Sequence, residues 1–322
     1  MHYNRLGHSG LVVSAMGFGA GSLGVGETLP GLRKSIDQSA ADRIVAAAIE
    51  AGITLFDTSN KYVNGQSELL LGEALGARRK DVVVATKCGL PVGPGALDRG
   101  LSYRHVIAQC DASLARLGTD WIDIYYAHIP DPDTPLEETA RAFEHLVTSG
   151  RVRYVAVSNW PAWMTARFMG MQAKAGQAPI IANQLYYSLL ARQPEREMVP
   201  MAQTCGVGLV VYSPLAGGFL SGKYQRGVPA PEGTRRATFD IAPRFDLDHG
   251  FDVVDQLRAI AGEYGVPPAH VALAWTMARP AVASVLFGIS RMEQLADNLG
   301  AAELALAPEH VAQLDALTQA PE

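Results

Sequence analysis

Cysteine is scarce in this chain, with three in 322 residues: Cys88, Cys110 and Cys205. They lie far apart and show no CxxC or Cys/His spacing. That excludes a disulfide framework or a zinc site and fits a reducing compartment. Charge of one sign is also lacking. Lys and Arg number 27 against 32 Asp and Glu, and the net −5 is spread along the chain without a basic run. Nothing in this balance calls for a nucleic acid or an anionic membrane surface. No stretch reaches the roughly 18 apolar residues of a spanning helix, and the opening MHYNRLGHSG has no apolar signal core. The expectation is a soluble, cytoplasmic protein. There is no low-complexity linker and no break in composition, so residues 1–322 are expected to form one domain. At 48% hydrophobic residues the chain can bury a large core.

What is present is alternation. A short hairpin is predicted at the start, with His2–Leu6 and Leu11–Val13 flanking His8-Ser9-Gly10. Val13–Gly19 reads as a first buried strand, followed by a glycine-rich loop through Gly26. Ser39–Ala51 reads as a helix, with Ser39 as its N-cap and Gly52 as its stop. Strand-like runs follow at 53–56, 82–86, 121–127, 152–157, 180–183, 208–212 and 283–287. Helical patterns fall near 67–76, 104–117, 136–149, 161–175, 195–205, 251–278 and 291–300, and Ala307–Leu317 reads as an extra C-terminal helix. Eight apolar strands, each followed by a helix, predict a (β/α)8 TIM barrel rather than an open sheet. The long irregular segment from about Ala216 to Gly250 reads as a flap or lid.

Two glycine motifs are misleading. Gly19-Ala-Gly21-Ser-Leu-Gly24 satisfies G-x-G-x-x-G after a strand, but no helix begins there. Gly217–Lys223 nearly matches a P-loop, yet Tyr224 stands where Ser or Thr must hold magnesium. Both keep backbone amides able to approach phosphates.

In a TIM barrel the chemistry sits at the C-terminal ends of the strands. Those ends read Asp57, Lys87, His128, Ser158-Asn159, Gln184, Tyr212-Ser213 and Gly288, with Tyr62 five residues past Asp57. Singly, each has an ordinary alternative. Asp57 suits a turn or helix cap, Lys87 can reach solvent, His128 can be a satisfied core residue, and Asn159 or Gln184 can serve loop backbone. Together, an acid, a lysine and a histidine on successive strands describe a partly dehydrated site with an ion pair. No convergent His and carboxylate set accompanies them, so no metal is expected, and a metal-dependent barrel hydrolase is disfavoured.

Asp57, Tyr62, Lys87 and His128 match the catalytic tetrad of the aldo-keto reductases, and the resemblance covers nearly the whole chain. RLGHSGLVVSAMGFGAGSLG, FDTSNKY, GQSELLLGEAL, SLARLGTDWIDIYYAH, GRVRYVAVSNW, QLYYSLL, VVYSPLAGGFLSGKY and GISRMEQLADNLGA follow the family's pattern in order. The resemblance implies reduction of an aldehyde or ketone by NADPH, with NADH also possible. Tyr62 would be the proton donor, Lys87 the charge that lowers its pKa, Asp57 the anchor of that lysine, and His128 the group that orients the carbonyl.

It further implies that Ser158, Asn159 and Gln184 hold the nicotinamide carboxamide and that Tyr212 stacks on the ring. Gly19, Ser213, Leu215, Gly217, Lys223 and Gly288 would border the cofactor path. Ser290, Arg291, Gln294 and Asn298 would meet the adenosine end, their spacing placing 290, 294 and 298 on one face of a helix start. Arg291 beside the ribose favours a 2′-phosphate. In the family the tyrosine is often followed directly by glycine, whereas Val63-Asn64 intervene here, which bears on the substrate. Leu90 and Pro91 are candidate apolar contacts, and Trp160 and Trp163 read as packing residues. The β subunits of voltage-gated potassium channels resemble the same family and keep the tetrad, so a cofactor-binding regulatory subunit is the alternative. The substrate, the physiological direction and the oligomeric state stay open at this level.

Overall fold

A computed structural model describes residues 1–29, 32–232, 234–238, 246–289 and 291–319. An N-terminal antiparallel hairpin, β1 (Tyr3–Arg5) and β2 (Val12–Ser14), forms where the turn residues predict it. The first barrel strand, β3 (Met16–Gly19), is shorter than predicted, because residues 12–14 belong to the hairpin. The expected glycine loop instead begins a second hairpin, β4 (Gly24–Leu29) with β5 (Leu32–Ile36). Gly24 and Gly26 adopt φ of 135° and 133°, a backbone open to glycine, so the residues that suggested a loop are used inside a strand.

Seven more barrel strands follow: β6 (Leu55–Asp57), β7 (Val83–Cys88), β8 (Ile122–Ala127), β9 (Val152–Ser158), β10 (Ile180–Tyr186), β11 (Gly208–Tyr212) and β12 (Val282–Phe287). With β3 they close an eight-stranded parallel barrel in chain order, β12 pairing with β3. The helices between them are α1 (Gln38–Glu50), α2 (Gln66–Leu75), α3 (Tyr103–Leu117), α4 (Leu136–Thr148), α5 (Ala162–Ala175), α6 (Met198–Cys205), α7 (Arg235–Thr238), α8 (Leu247–Tyr264), α9 (Pro268–Met277), α10 (Glu293–Leu299) and the C-terminal α11 (Pro308–Thr318). This is the predicted (β/α)8 barrel with an added hairpin and an added last helix.

Two helix readings are corrected. The cap of α1 is Asp37, whose carboxylate accepts from the Ala40 N–H at 2.9 Å. The Ser39 hydroxyl instead accepts from the Arg43 guanidinium at 2.8 Å. The predicted single helix over 251–278 is two. Gly265 ends α8 in a left-handed conformation, φ 67°, and Pro268 opens α9, where its missing N–H costs nothing. α8 has a buried apolar face and α9 is buried from His270 through Thr276, so apolar residues continue past the break and hide it. Within the segment read as a lid, α7 and the start of α8 are helical; residues 233 and 239–245 lie outside the described residues.

The core has two layers. Helix faces and the outer sides of the strands pack around Phe18, Phe56, Tyr125, Phe143, Phe168 and Trp275, all buried. Inside the barrel, Leu55, Ala85, Ile124, Tyr126, Ala156, Ala182 and Val210 meet Leu6 and Val13, which the first hairpin inserts as a plug. The N-terminal end is therefore stoppered by apolar side chains.

Candidate active site

Successive side chains on a barrel strand alternate between interior and helix layer. Two residues beyond the interior residues Leu55, Ala85, Tyr126, Ala156, Ala182 and Val210 stand Asp57, Lys87, His128, Ser158, Gln184 and Tyr212. Equal parity on neighbouring strands aims all six at the C-terminal mouth. Register reinforces this, with Gly19 opposite Asp57, Lys87 opposite Tyr126 and Gln184 opposite Ser158.

The centre is a buried ion pair. Lys87 Nζ donates to Asp57 Oδ1 at 2.5 Å and to the Thr58 carbonyl at 2.8 Å, with both charged side chains essentially out of solvent. Gln184 Nε2 donates to the other Asp57 oxygen at 2.8 Å, so both carboxylate oxygens are occupied. The third contact of Lys87 is the Tyr62 hydroxyl at 3.3 Å. Burial raises the Asp57 pKa, and the neighbouring ammonium only partly offsets it. Burial likewise disfavours a charged Lys87, but attraction to Asp57 and Tyr62 carries its pKa above the ordinary lysine value. The lysine is an ammonium at neutral pH.

Tyr62 opens a single turn, Tyr62–Gly65, and is half-buried. Its pKa departs from expectation. Lys87 pulls it down as predicted, yet burial pushes it up by more, and the net direction is upward. The phenol is therefore protonated near neutrality, which is the form a proton donor requires. The His128 ring stands edge-on to the Tyr62 ring, with centroids 5.8 Å apart at 83°. Burial, aided by Lys87, lowers the His128 pKa to about 3, so the imidazole is neutral.

Val63 and Asn64 both adopt left-handed backbone, φ 48° and 52°. For β-branched Val63 that conformation is strained. Its side chain is buried against Gly24, where a Cβ would come within 2.7 Å of Val63 Cγ1. The insertion thus ties the tyrosine turn to the second hairpin, and of the two residues only Asn64 is exposed.

Of the residues expected along the cofactor path, Ser158, Asn159, Gln184, Tyr212, Ser213 and Gly217 lie on β9, β10 and β11 or just beyond them. Asn159, at φ 59°, donates to the Ser158 hydroxyl at 3.0 Å and to the His128 carbonyl at 3.2 Å. Its Oδ1 accepts from the Tyr212 hydroxyl at 2.9 Å. Tyr212 lies parallel to Tyr186, 5.9 Å and 23° apart. After β11, Ser213 has positive φ, and Ala216, Gly217 and Gly218 form a left-handed run that can turn amides toward a phosphate. A Cβ on Gly218 would stand 3.0 Å from Lys223 Nζ, so glycine there admits the ammonium beside the turn. Amide donors, a flat ring and a glycine-lined cationic turn fit a nicotinamide dinucleotide.

Gly19 and Gly288 adjoin where the barrel closes; a Cβ on Gly288 would lie 3.5 Å from the Gly19 carbonyl. Gln294 and Asn298 share one face of α10, Arg291 is exposed just before it, and Ser290 lies outside the described residues. Among the described residues no cluster of three or more His, Cys, Asp or Glu is positioned for a metal, and no helix is long and apolar enough to cross a membrane. Trp160 is buried with its ring edge-to-face on Phe168, as expected of a packing residue. Trp163 is not: it is 58% exposed at the start of α5.

Several site residues escaped the sequence reading. The Thr58 carbonyl holds Lys87, and Tyr126 lies under it with its ring centre 6.0 Å from Nζ. Ser59 Oγ lies 3.1 Å from His128 Nδ1, and Asn60 fixes the loop by donating to Gln109 of α3 at 2.9 Å. Fully buried Glu68 accepts from Thr86 at 2.5 Å and from Arg116 at 2.6 Å, bracing α2 and α3 against the strand that carries Lys87. Thr58, Ser59 and Asn60 show in the sequence only as a short polar run, which equally describes a turn, while Tyr126 is hidden inside an apolar strand.

The aldo/keto reductase family model matches residues 15–319. A probable voltage-gated potassium channel subunit beta from Oryza sativa subsp. japonica is 35% identical over 327 residues, covering 99% of this chain and 97% of its own. A probable counterpart from Arabidopsis thaliana is 36% identical over 311 residues, covering 94% and 92%. A putative one from Schizosaccharomyces pombe is 36% identical over 325, covering 97% and 92%. With the closed barrel and the residues at its mouth, these matches make the chain a member of the aldo/keto reductase family, a family of NADP(H)-dependent oxidoreductases.

Proposed function

We propose that this protein reduces an aldehyde or ketone to the alcohol with NADPH, reversibly, at the mouth formed by Asp57, Tyr62, Lys87 and His128. The observation that carries this reading is the chain of contacts from Asp57 through Lys87, 2.5 Å, to the Tyr62 hydroxyl, 3.3 Å. When bound, NADPH supplies the hydride that reaches the carbonyl carbon. Everything else falls to the protein. Tyr62 gives its proton to the carbonyl oxygen as negative charge develops there. The phenolate left behind sits beside the Lys87 ammonium, which stabilises it until a proton returns. Asp57 and Gln184 keep that ammonium in place. Neutral His128 orients the carbonyl oxygen toward Tyr62.

Ser158, Asn159 and Gln184 would hold the carboxamide, Tyr212 the ring face, and Ser213, Leu215, Gly217 and Lys223 the pyrophosphate. Gly19 and Gly288 would leave room at the barrel seam, and Arg291, Gln294 and Asn298 would meet the adenosine end. Arg291 supports NADPH over NADH because a guanidinium pairs with a 2′-phosphate.

The names of the similar channel subunits support a second reading, in which cofactor binding regulates a protein partner. Stopped-flow NADPH oxidation over a panel of aldehydes and ketones separates the two. Multiple turnovers on at least one carbonyl support the reductase, and tight NADPH binding with no oxidation across the panel supports the regulatory subunit.

A further inference from the structure

Ser59 is a fully buried hydroxyl to which the chemistry above gives no task. It lies two residues past Asp57, on the loop leading to Tyr62. Its Oγ accepts a hydrogen bond from the Lys61 N–H at 3.2 Å and lies 3.1 Å from His128 Nδ1. The remaining neighbour is Asn60 Oδ1 at 3.5 Å, the outer limit of a hydrogen bond.

A hydroxyl has one proton to give, and a neutral imidazole has one N–H. Burial keeps His128 neutral, so the position of that single N–H is the question. In one arrangement Nδ1–H donates to Ser59, and the hydroxyl proton is left with the 3.5 Å contact to Asn60. The other ring nitrogen then carries a bare lone pair, which repels a carbonyl oxygen. In the alternative, Ser59 donates to Nδ1 at 3.1 Å and the ring proton sits on Nε2. Both arrangements keep the 3.1 Å bond and the Lys61 N–H bond. This one spends the hydroxyl proton on the 3.1 Å bond rather than on the 3.5 Å contact, and it gives Nε2 an N–H to offer a carbonyl oxygen. Nε2 makes no hydrogen bond among the described residues, so its proton is available to a ligand.

We infer that Ser59 is a positioning residue: its hydroxyl holds His128 in the Nε2–H tautomer, so that the ring donates a hydrogen bond to the substrate's carbonyl oxygen. The inference rests on the reductase reading, in which Tyr62 and His128 share that oxygen. It makes the loop a two-armed device, with Tyr62 delivering the proton and Ser59 setting the group that aims its acceptor. The loop is itself anchored, since Asn60 is tied to Gln109.

The test combines ring 15N shifts with steady-state kinetics, using His128→Gln to identify the His128 signals. In the wild type, Nδ1 should give the pyridine-type shift and Nε2 the pyrrole-type shift. Ser59→Ala should move both toward a mixture and lower kcat by about three- to tenfold, the worth of one neutral hydrogen bond. Its NADPH dissociation constant, read by fluorescence, should be unchanged, and Ser59→Thr should recover both shifts and kcat. A purely structural serine would not move the tautomer signature. The inference is overturned if the wild type carries its proton on Nδ1. It is equally overturned if Ser59→Ala, folded and binding NADPH, leaves the ring shifts or kcat as they were. If the wild type turns over no carbonyl, the reductase reading fails on its own, and the ring shifts still decide whether Ser59 sets the tautomer.

Discussion

Asp57→Ala removes a carboxylate 2.5 Å from a fully buried ammonium and leaves Lys87 with the Thr58 carbonyl and the Tyr62 hydroxyl. Two routes are open to the variant, and their costs can be compared. Keeping the ammonium buried without its partner costs about 3–5 kcal/mol. Releasing its proton at pH 7, from an ordinary lysine pKa of about 10.4, costs about 4–5 kcal/mol at about 1.4 kcal/mol per unit. Either way the deficit at pH 7 is about 3–5 kcal/mol. Burial is the largest influence on Lys87 and pulls its pKa down, so the variant should take the proton-release route. The unfolded chain then binds one more proton than the folded one. The variant's stability should rise by about 1.4 kcal/mol per pH unit between pH 7 and 9. In the wild type Lys87 is charged in both states over that window and contributes no slope. Urea unfolding at pH 7, 8 and 9 should show the deficit shrinking by about 2.7 kcal/mol across the series. A deficit below about 1 kcal/mol that ignores pH would refute the reasoning that a tight, dehydrated pair holds this site together.

Two further outcomes follow from the same geometry. The folded pKa of His128, about 3, lies below its unfolded value. Its contribution is therefore complete above the unfolded pKa of about 6.5 and is lost as pH falls toward the folded one. Between pH 6 and 4 the wild type should lose stability relative to His128→Gln by about 1.4 kcal/mol per unit in urea titrations, and parallel curves would contradict a buried neutral imidazole. Arg291→Ala should weaken NADPH binding by about 10- to 100-fold while leaving NADH within about twofold, as expected for loss of a charge-assisted phosphate contact. Equal losses for both cofactors in fluorescence titrations would remove Arg291 from the 2′-phosphate.

The barrel was legible because each strand is an apolar run with its own helix behind it. The residues at the mouth were legible because Asp57, Lys87 and His128 interrupt or end such runs. Parity was not, since strands buried on both faces carry apolar residues at every position; that Tyr126 and Ala85 face inward while Tyr125 and Val84 face the helices emerges only from closure. The second hairpin was hidden by Gly24 and Gly26, read as loop formers although their positive φ is used inside a strand. The split between α8 and α9 was present as Gly265 followed by Pro267-Pro268, a stop and a start overridden by apolar residues on both sides of it. The lysine's effect on Tyr62 was foreseen in sign, but the opposing effect of burial depends on how deeply the loop packs, which only the fold reveals. Trp163, adjoining a buried tryptophan motif, gave no signal that it would face solvent.

The central claim is that Tyr62 delivers the proton in carbonyl reduction, and Tyr62→Phe tests it most directly. The ring, its contact with His128 and the Asp57–Lys87 pair are retained, and only the hydroxyl 3.3 Å from Lys87 is lost. On the best carbonyl substrate, single-turnover oxidation of bound NADPH should slow by about 10²- to 10⁴-fold, with NADPH affinity and the unfolding midpoint close to wild type. A folded, NADPH-binding Tyr62→Phe that reduces the same substrate at near-normal rate would contradict the account.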